Sequence, residues 1–276
     1  MSWRVPTDDD WTDFTTYVNG YQSTPPDYDY RYDNTNNAIG KSLADTSGWS
    51  AHGTAGNVGN DQASNNATGF TAKPGGYRAT SGTFGNLGMR VHFWSSLPAD
   101  WTAWSRNLRS NFAGVARTTA DQAEGFSVRL VRDDTGSDVD GTVYTDDYTG
   151  NDGKKYDSVK IGDWVWLVEN LKETKYADGT TIPRITDDTD WSNDTTGARC
   201  EYDNDTDNGD EYGFLYNWYA VDNAKDIVAE QAEQGGEIKY YDGSDWVHKP
   251  VKHYDGSDWE AKPVKHYDGS DWKELS

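Results

Sequence analysis

The sequence predicts an α+β fold with much irregular loop, followed by a short stem of β-hairpin repeats. Three observations carry this. First, 37 of the 47 acidic residues are Asp and only 10 are Glu, and there are 28 Gly. Asp and Gly favour turns and loops, whereas Glu favours helices. Second, apolar periodicity is strand-like over 126–133 and 159–171 and helix-like over only two short stretches. Third, YDGSDW recurs at 241–246, 254–259 and 267–272, a strict period of 13. Strict periodicity makes each copy one structural unit that buries a face against a neighbour.

The elements follow in order. A helix is predicted over 7–18. Thr7 followed by Asp10 is a capping-box-like start, with Asp in place of Glu or Gln. Asp8, Asp9 and Asp10 sit where the helix dipole favours anions. Trp11, Phe14 and Val18 fall on one apolar face. The Gly- and Asn-rich stretches 47–69 and 79–90 are predicted to be irregular. In 126–133, Phe126, Val128 and Leu130 are expected inward, alternating with Ser127, Arg129 and Val131. Val165–Val168 reads as a strand. The Ala-, Glu- and Gln-rich stretch 222–238 predicts a short helix ending at Gly235-Gly236, with 226–238 as connector to the repeats. In 239–276, Asp-Gly-Ser-Asp is turn chemistry between strand-like flanks, which predicts hairpins with Tyr and Trp stacked along one side. Proline between copies suggests edge strands. Hairpins of this size are marginal alone, so association with other chains is expected. Sugar or choline binding by the repeated aromatics is the alternative to a spacer or attachment stem.

Charge is uneven. The net −22 divides into −2 for 1–133, −14 for 134–225 and −6 for 226–276. Such an excess of acid argues against nucleic acid as a partner. No apolar run reaches the roughly 20 residues needed to span a bilayer, so no membrane partner is expected. MSWRVPTDDD has neither a basic nor an apolar segment of the secretory kind. Cys200 alone excludes an internal disulfide. The 13 Trp and 18 Tyr argue for a folded core rather than disorder.

Several motifs carry a family resemblance. Residues 66–133 contain NATGFTAKPGGYRATSGTFGNLG, FWSS, AWSRNL and GFSVRLVRD. Residues 138–221 contain DVDGTVY, VKIGDWVWLVENLK, YADGTTI and YGFLYNWYAV. Together with WRVPTDDDW at 3–11, these resemble the Fibrobacter succinogenes major paralogous domain. That family is similar to the formylglycine-generating-enzyme type of C-type-lectin-like fold. The resemblance covers about 1–225, with 1–133 as the usual second half and 138–225 as the usual first half. It therefore implies a circularly permuted domain, or half-domains swapped between chains, joined at 134–137.

The resemblance implies binding rather than catalysis. Formylglycine-generating enzymes need a reactive cysteine pair, which this chain lacks, and no hydrolase, zinc-protease or P-loop motif is present. In similar lectin-like variable proteins, the part matching 94–117 carries ligand-facing positions. Trp101, Ser105, Asn107, Arg109, Asn111 and Phe112 are accordingly expected at the ligand, with Trp104, Arg106 and Leu108 as framework. Trp offers a flat face to a sugar ring, and Arg and Asn offer directed hydrogen bonds. No cofactor is expected, apart from calcium as an option. Asp203, Asp205 and Asp207 have the first three EF-hand spacings, but Gly209 is one position late and Phe214 stands where Glu is required. Asp146, Asp147, Asn151 and Asp152 form a second acidic loop of the same kind. The resulting expectation is a non-enzymatic receptor-binding protein on a phage virion surface, a tail fibre or similar, that binds host surface glycan or protein. Its repeats would contact other virion proteins within a homotrimer. A virion decoration or head-fibre protein, or a bacterial surface protein of the same family, are the alternatives.

Overall fold

The computed structural model describes residues 2–19, 39–224 and 226–229, and the backbone of the strands between 237 and 274. It divides into one unit over Ser2–Glu230 and another over Gln231–Ser276.

The larger unit begins with helix α1 (Asp8–Asn19). Its start is a reciprocal capping box. The Asp10 amide donates to Thr7 Oγ1 at 3.0 Å, and the Thr7 amide donates to Asp10 Oδ2 at 2.8 Å. Trp11 and Phe14 are buried, so the apolar face predicted for this helix is the face it buries. Helix α2 (Ile39–Leu43) follows, and residues 47–69 contain only one turn of 3-10 helix, Gln62–Ser64. Strands β1 (Tyr77–Arg78) and β2 (Phe84–Gly85) form a small ribbon. Strands β3 (Arg90–Ala99), β4 (Thr102–Arg109) and β5 (Ala116–Asp121) form an antiparallel sheet with β4 in the centre. Strands β6 (Val131–Asp133), β7 (Val143–Thr149), β8 (Lys155–Ile161) and β9 (Trp164–Leu167) form a second antiparallel sheet in the order β6-β9-β8-β7. Helix α3 (Asp188–Asn193), strand β10 (Arg199–Cys200), helix α4 (Thr206–Tyr212), strand β11 (Leu215–Tyr216) and helix α5 (Trp218–Val221) complete the unit, with β10 paired to β11. The fold is mixed α/β, mostly open sheet with few helices, and the described strands close no barrel.

Two apolar clusters flank the segment 126–131. One holds Phe126, Val128 and Leu130 with Trp94, Tyr216 and Trp218. The other holds Val131 with Trp11, Phe14, Phe70 and Trp166. The alternation expected here therefore fails as an inside–outside pattern, because both sides of this segment are interior. Ser127 and Arg129 are fully buried too. Arg129 is accommodated because carbonyl and amide oxygens surround its guanidinium. It donates to Phe70 O at 2.6 Å, Leu167 O at 2.7 Å and Asn170 Oδ1 at 2.7 Å. A buried charge is tolerable only with such partners.

The stretches 1–133 and 138–225 close on each other within one chain. Val131 pairs with Trp166 across β6 and β9. The Trp166 ring lies 4.8 Å from that of Trp11 and 4.4 Å from that of Phe14. Trp218 Nε1 donates to Ser95 O at 2.9 Å, and Trp94 Nε1 donates to Tyr216 O at 2.8 Å. Buried Arg78 makes a similar tie: it donates to Ile185 O and Thr186 O and stacks on Trp191.

The described part of the expected 222–238 helix is not helical beyond Asp222, and the compact unit runs past 225. Ile227, Val228 and Ala229 are buried in the first cluster, and the Ala229 amide donates to Tyr148 Oη at 2.7 Å. Tertiary burial overrides the helical composition there. Residues 230–236, including Gly235-Gly236, lie outside the described residues.

The smaller unit contains three two-stranded antiparallel hairpins: β12 (Glu237–Tyr241) with β13 (Trp246–Pro250), β14 (Lys252–Tyr254) with β15 (Trp259–Ala261), and β16 (Lys265–Tyr267) with β17 (Trp272–Glu274). Each copy pairs its Tyr with its Trp: Tyr241 with Trp246, Tyr254 with Trp259, and Tyr267 with Trp272. Proline ends β13, where no inner strand needs its missing N–H. The Asp-Gly-Ser-Asp turns and the expected aromatic stacking lie outside the described residues.

Candidate functional site

Strand β4 separates the residues expected at the ligand. From Thr102 to Arg109 it spans about 23 Å at strand rise. Trp101 precedes one end, and Arg109, Asn111 and Phe112 lie at or beyond the other. They do not form one surface.

Trp101 sits at the tip between β3 and β4 and is 78 % exposed. Leu97, on the same hairpin, is 43 % exposed. Asp100 turns the chain with φ 57°. Hydrogen bonds fix the tip backbone. Thr102 Oγ1 donates to Ala99 O at 2.6 Å, and Gln122 Nε2 reaches Asp100 O and Thr102 O. The backbone of Gln122 also accepts from the Trp218 amide at 2.8 Å. Next to it, Thr195, Thr196, Trp218, Tyr219, Asp222 and Asn223 line an open polar groove.

Ser105 and Asn107 are fully buried, which corrects their expected ligand-facing role. Alternation was the right pattern, but β4 is a central strand with both faces covered. Ser105 Oγ donates to Thr118 O at 3.2 Å, and Asn107 Oδ1 accepts from Arg109 Nε at 2.8 Å. Arg109 and Phe112 are half-buried and Asn111 is exposed. Of the framework set, Arg106 and Leu108 are buried. Trp104 is half-buried beneath the Arg117 guanidinium, 3.4 Å from its ring centre.

The acidic loops are internally engaged. Asp205 caps α4 by accepting from the Asp207 amide at 3.0 Å, while Asp203 and Asp207 are exposed. Asp146 pairs with Lys155, and Asp147 with Arg132 and Ser158. Asp152 accepts from Thr174 Oγ1, and Asn151 donates to Lys175 O and Ile227 O. Among the described residues no group of three His, Cys, Asp or Glu is placed to hold a metal ion.

Three features escaped the sequence reading. Asp8 is a buried anion held by Arg106 at 2.6 Å and Arg117 at 2.7 Å. Burial works to raise its carboxyl, but the two arginines hold it below the ordinary value. Glu124 is pushed up to about 7 by burial and then by Asp121. His92 is held down at about 3 by burial and then by Arg90 and Arg109, so its imidazole is neutral. Strand alternation through 90–94 would have put Arg90, His92 and Trp94 on one face. Cys200 is buried, and burial pushes its thiol up to about 12, which leaves it protonated and a poor nucleophile. No described helix is long and apolar enough to cross a membrane.

Fold and surface thus define a mostly-sheet scaffold with an exposed aromatic at the end of a braced hairpin. The profile of the Fibrobacter succinogenes major domain matches residues 1–132 and 159–231, well over half of the chain. The protein belongs to that family. The unmatched stretch between the two parts contains β7. Comparison with curated proteins gave no match, and neither did comparison with solved structures.

Proposed function

We propose that the protein is a non-enzymatic receptor-binding protein, which meets a host surface glycan or protein through the β3–β4 hairpin tip. Residues 1–225 are read as a C-type-lectin-like domain in permuted order, with the repeats as a stem that assembles with other copies and with virion proteins. The observation that carries this is the exposure of Trp101. A large indole left in water on a rigid turn has no role in the core, and such side chains are favoured at interfaces. The polar groove beside Trp218 adds oriented hydrogen-bonding groups. Two-stranded hairpins are marginal alone, which supports assembly of the stem as a homotrimer.

The test compares Trp101→Ala with Arg109→Ala in the full chain, measuring glycan-array and host-cell binding. Trp101→Ala should weaken binding at least tenfold with unchanged unfolding temperature, and Arg109→Ala should not. Undiminished binding by Trp101→Ala would remove the tip from the proposal. A virion that adsorbs normally without the protein would favour a decoration role. Export to a bacterial surface would replace the virion setting. A sedimentation mass equal to one chain would rule out the trimer.

A further inference from the structure

The open groove beside the hairpin tip is a cavity of about 290 Å³. That is the small end of the range for ligand pockets, roughly 300–1,000 Å³, and suits a single sugar ring rather than a larger ligand. Its walls come from two segments: Thr195 and Thr196 after α3, and Trp218, Tyr219, Asp222 and Asn223 in and just beyond α5.

A network of hydrogen bonds holds these walls in place. Trp218 Nε1 donates to Ser95 O, and the Trp218 amide donates to Gln122 O. Asn217 caps α5 by accepting from the Ala220 amide, and its Nδ2 donates to Asp194 Oδ2 at 2.8 Å. Asp194 in turn accepts from Thr196 Oγ1 and from the Gly197 amide. Asn223 Nδ2 donates to Thr196 O at 3.0 Å and so ties one wall to the other. A frame already fixed in this way loses little freedom when a ligand enters.

Three lining side chains take no part in that frame. The Tyr219 phenol, the Asp222 carboxylate and the Thr195 hydroxyl make no hydrogen bond or ion pair among the described residues. Tyr219 is half-buried, and Asp222 and Thr195 are exposed, so all three can be reached from solvent. Burial, then Asp121 and Asp194, raises the Tyr219 phenol and keeps it protonated. The phenol and the hydroxyl each donate and accept, whereas the carboxylate only accepts. Sugar hydroxyls donate as well as accept, so neighbouring ones can donate to Asp222 while the ring lies on the apolar body of Tyr219. No described Lys or Arg lines the groove, and Asp121 and Asp194 add negative charge near Tyr219. A carboxylate or sulfate on the ligand would be repelled there.

We propose that this groove binds one neutral hexose unit of a glycan, with its hydroxyls donating to Asp222 and its ring against Tyr219, and that it excludes acidic sugars. The proposal rests on reading this end of the molecule as a receptor surface, and it names the part of the receptor that the groove takes.

The test uses the full chain and saturation-transfer NMR titrations. The probes are the methyl α-glycosides of D-glucose, D-galactose and D-mannose, with D-glucuronate as the acidic comparison. Saturable binding of at least one neutral glycoside is expected, with glucuronate weaker by about tenfold or more. Asp222→Ala should weaken the neutral sugar by about tenfold, the loss of a hydrogen bond to a charged group. Tyr219→Phe should lose less affinity than Tyr219→Ala, because it keeps the ring. Asp222 is exposed, so its variant should keep the unfolding temperature, and the Tyr219 variants are compared only where theirs is unchanged. Trp101→Ala should leave monosaccharide affinity unchanged while weakening host-cell binding, so groove and tip are judged separately. Three results would each overturn the proposal, whatever Trp101→Ala does to cell binding: no saturation with any of the three glycosides, equal affinity for glucuronate, or full affinity in Asp222→Ala.

Discussion

Replacing Asp8 by Ala should destabilise the larger unit by about 3–5 kcal/mol, the cost of breaking a buried ion pair. Asp8 Oδ1 accepts from Arg106 Nη1 at 2.6 Å, and its carboxylate accepts from Arg117 Nε and from Arg117 Nη2 at 2.7 Å. Arg106 also donates to Asp8 O and Thr12 Oγ1, both at 3.0 Å. With the side chain of Arg106 only 1 % exposed, water cannot replace the lost carboxylate. Arg117 is 22 % exposed and can turn outward, so most of the loss comes from Arg106. Asp8 also opens α1, where its charge favours the helix dipole by a further ~0.5 kcal/mol. Asp9→Ala is the control. Asp9 is exposed and should change stability by no more than about 0.5 kcal/mol. Urea unfolding followed by tryptophan fluorescence measures both, through the midpoint at constant slope. The arginines lower the Asp8 carboxyl in the folded state, so its contribution is present above the unfolded value of 3.8. It is lost as pH falls through the folded value, and so the variant gap should persist at pH 5. A loss below about 1 kcal/mol, or one equal to that of Asp9→Ala, would refute the reasoning.

Other expectations test separate parts of the structure. Gly82 has φ 91°, and an added Cβ would lie 2.4 Å from the Asp188 backbone; Gly136 has φ 79° and open space. Gly82→Ala should therefore cost over 2 kcal/mol against about 1 for Gly136→Ala in the same unfolding assay. Burial, then Asp121, raises Glu124 to about 7 from 4.5, so the cost of its charge is absent below about 4.5 and fully present above about 7. Glu124→Gln should be neutral at pH 4 and stabilising at pH 8. The shift sets a limit of about 3 kcal/mol, which solvent at this half-buried group reduces to about 1; equal stabilisation at both pH values would contradict this. Trp166→Ala should cost about 3–5 kcal/mol by calorimetry, because its ring fills the space between residues from both halves of the chain. A loss below 1 kcal/mol would mean the halves close without it.

Local chemistry was legible in the sequence where it acts over a few residues. The Thr7–Asp10 box and the apolar stripe of α1 need only spacing, and the hairpin repeats need only period and turn residues. Non-local packing was not legible. Alternation gave Ser105 and Asn107 the correct face of β4 relative to Arg106, but it could not show that both faces are covered. The same limit applies to 126–131, where two clusters enclose one strand-like segment. Ile227–Ala229 follows from the same cause: helical composition yielded to a buried position beside Tyr148. A contiguous stretch of sequence suggested one ligand surface, whereas a strand of eight residues carries its two ends to opposite sides of the sheet.

The buried arginines explain how so acidic a chain can keep a defined interior. Arg78, Arg106 and Arg129 each sit deep in the larger unit, and each is held by a different chemistry. Arg106 uses a carboxylate, Arg129 uses carbonyl and amide oxygens, and Arg78 uses carbonyls and the Asp188 carboxylate together with the faces of Phe84 and Trp191. Arginine suits all three because its planar fork offers several donors and a stacking face at once. Arg78 and Arg129 reach across from 1–133 to 167–188, so they tie the two halves where apolar contacts alone would give no register. The acids lie mostly at exposed loops and caps, and the buried Asp8, Glu173 and Glu201 each accept from arginine or backbone donors.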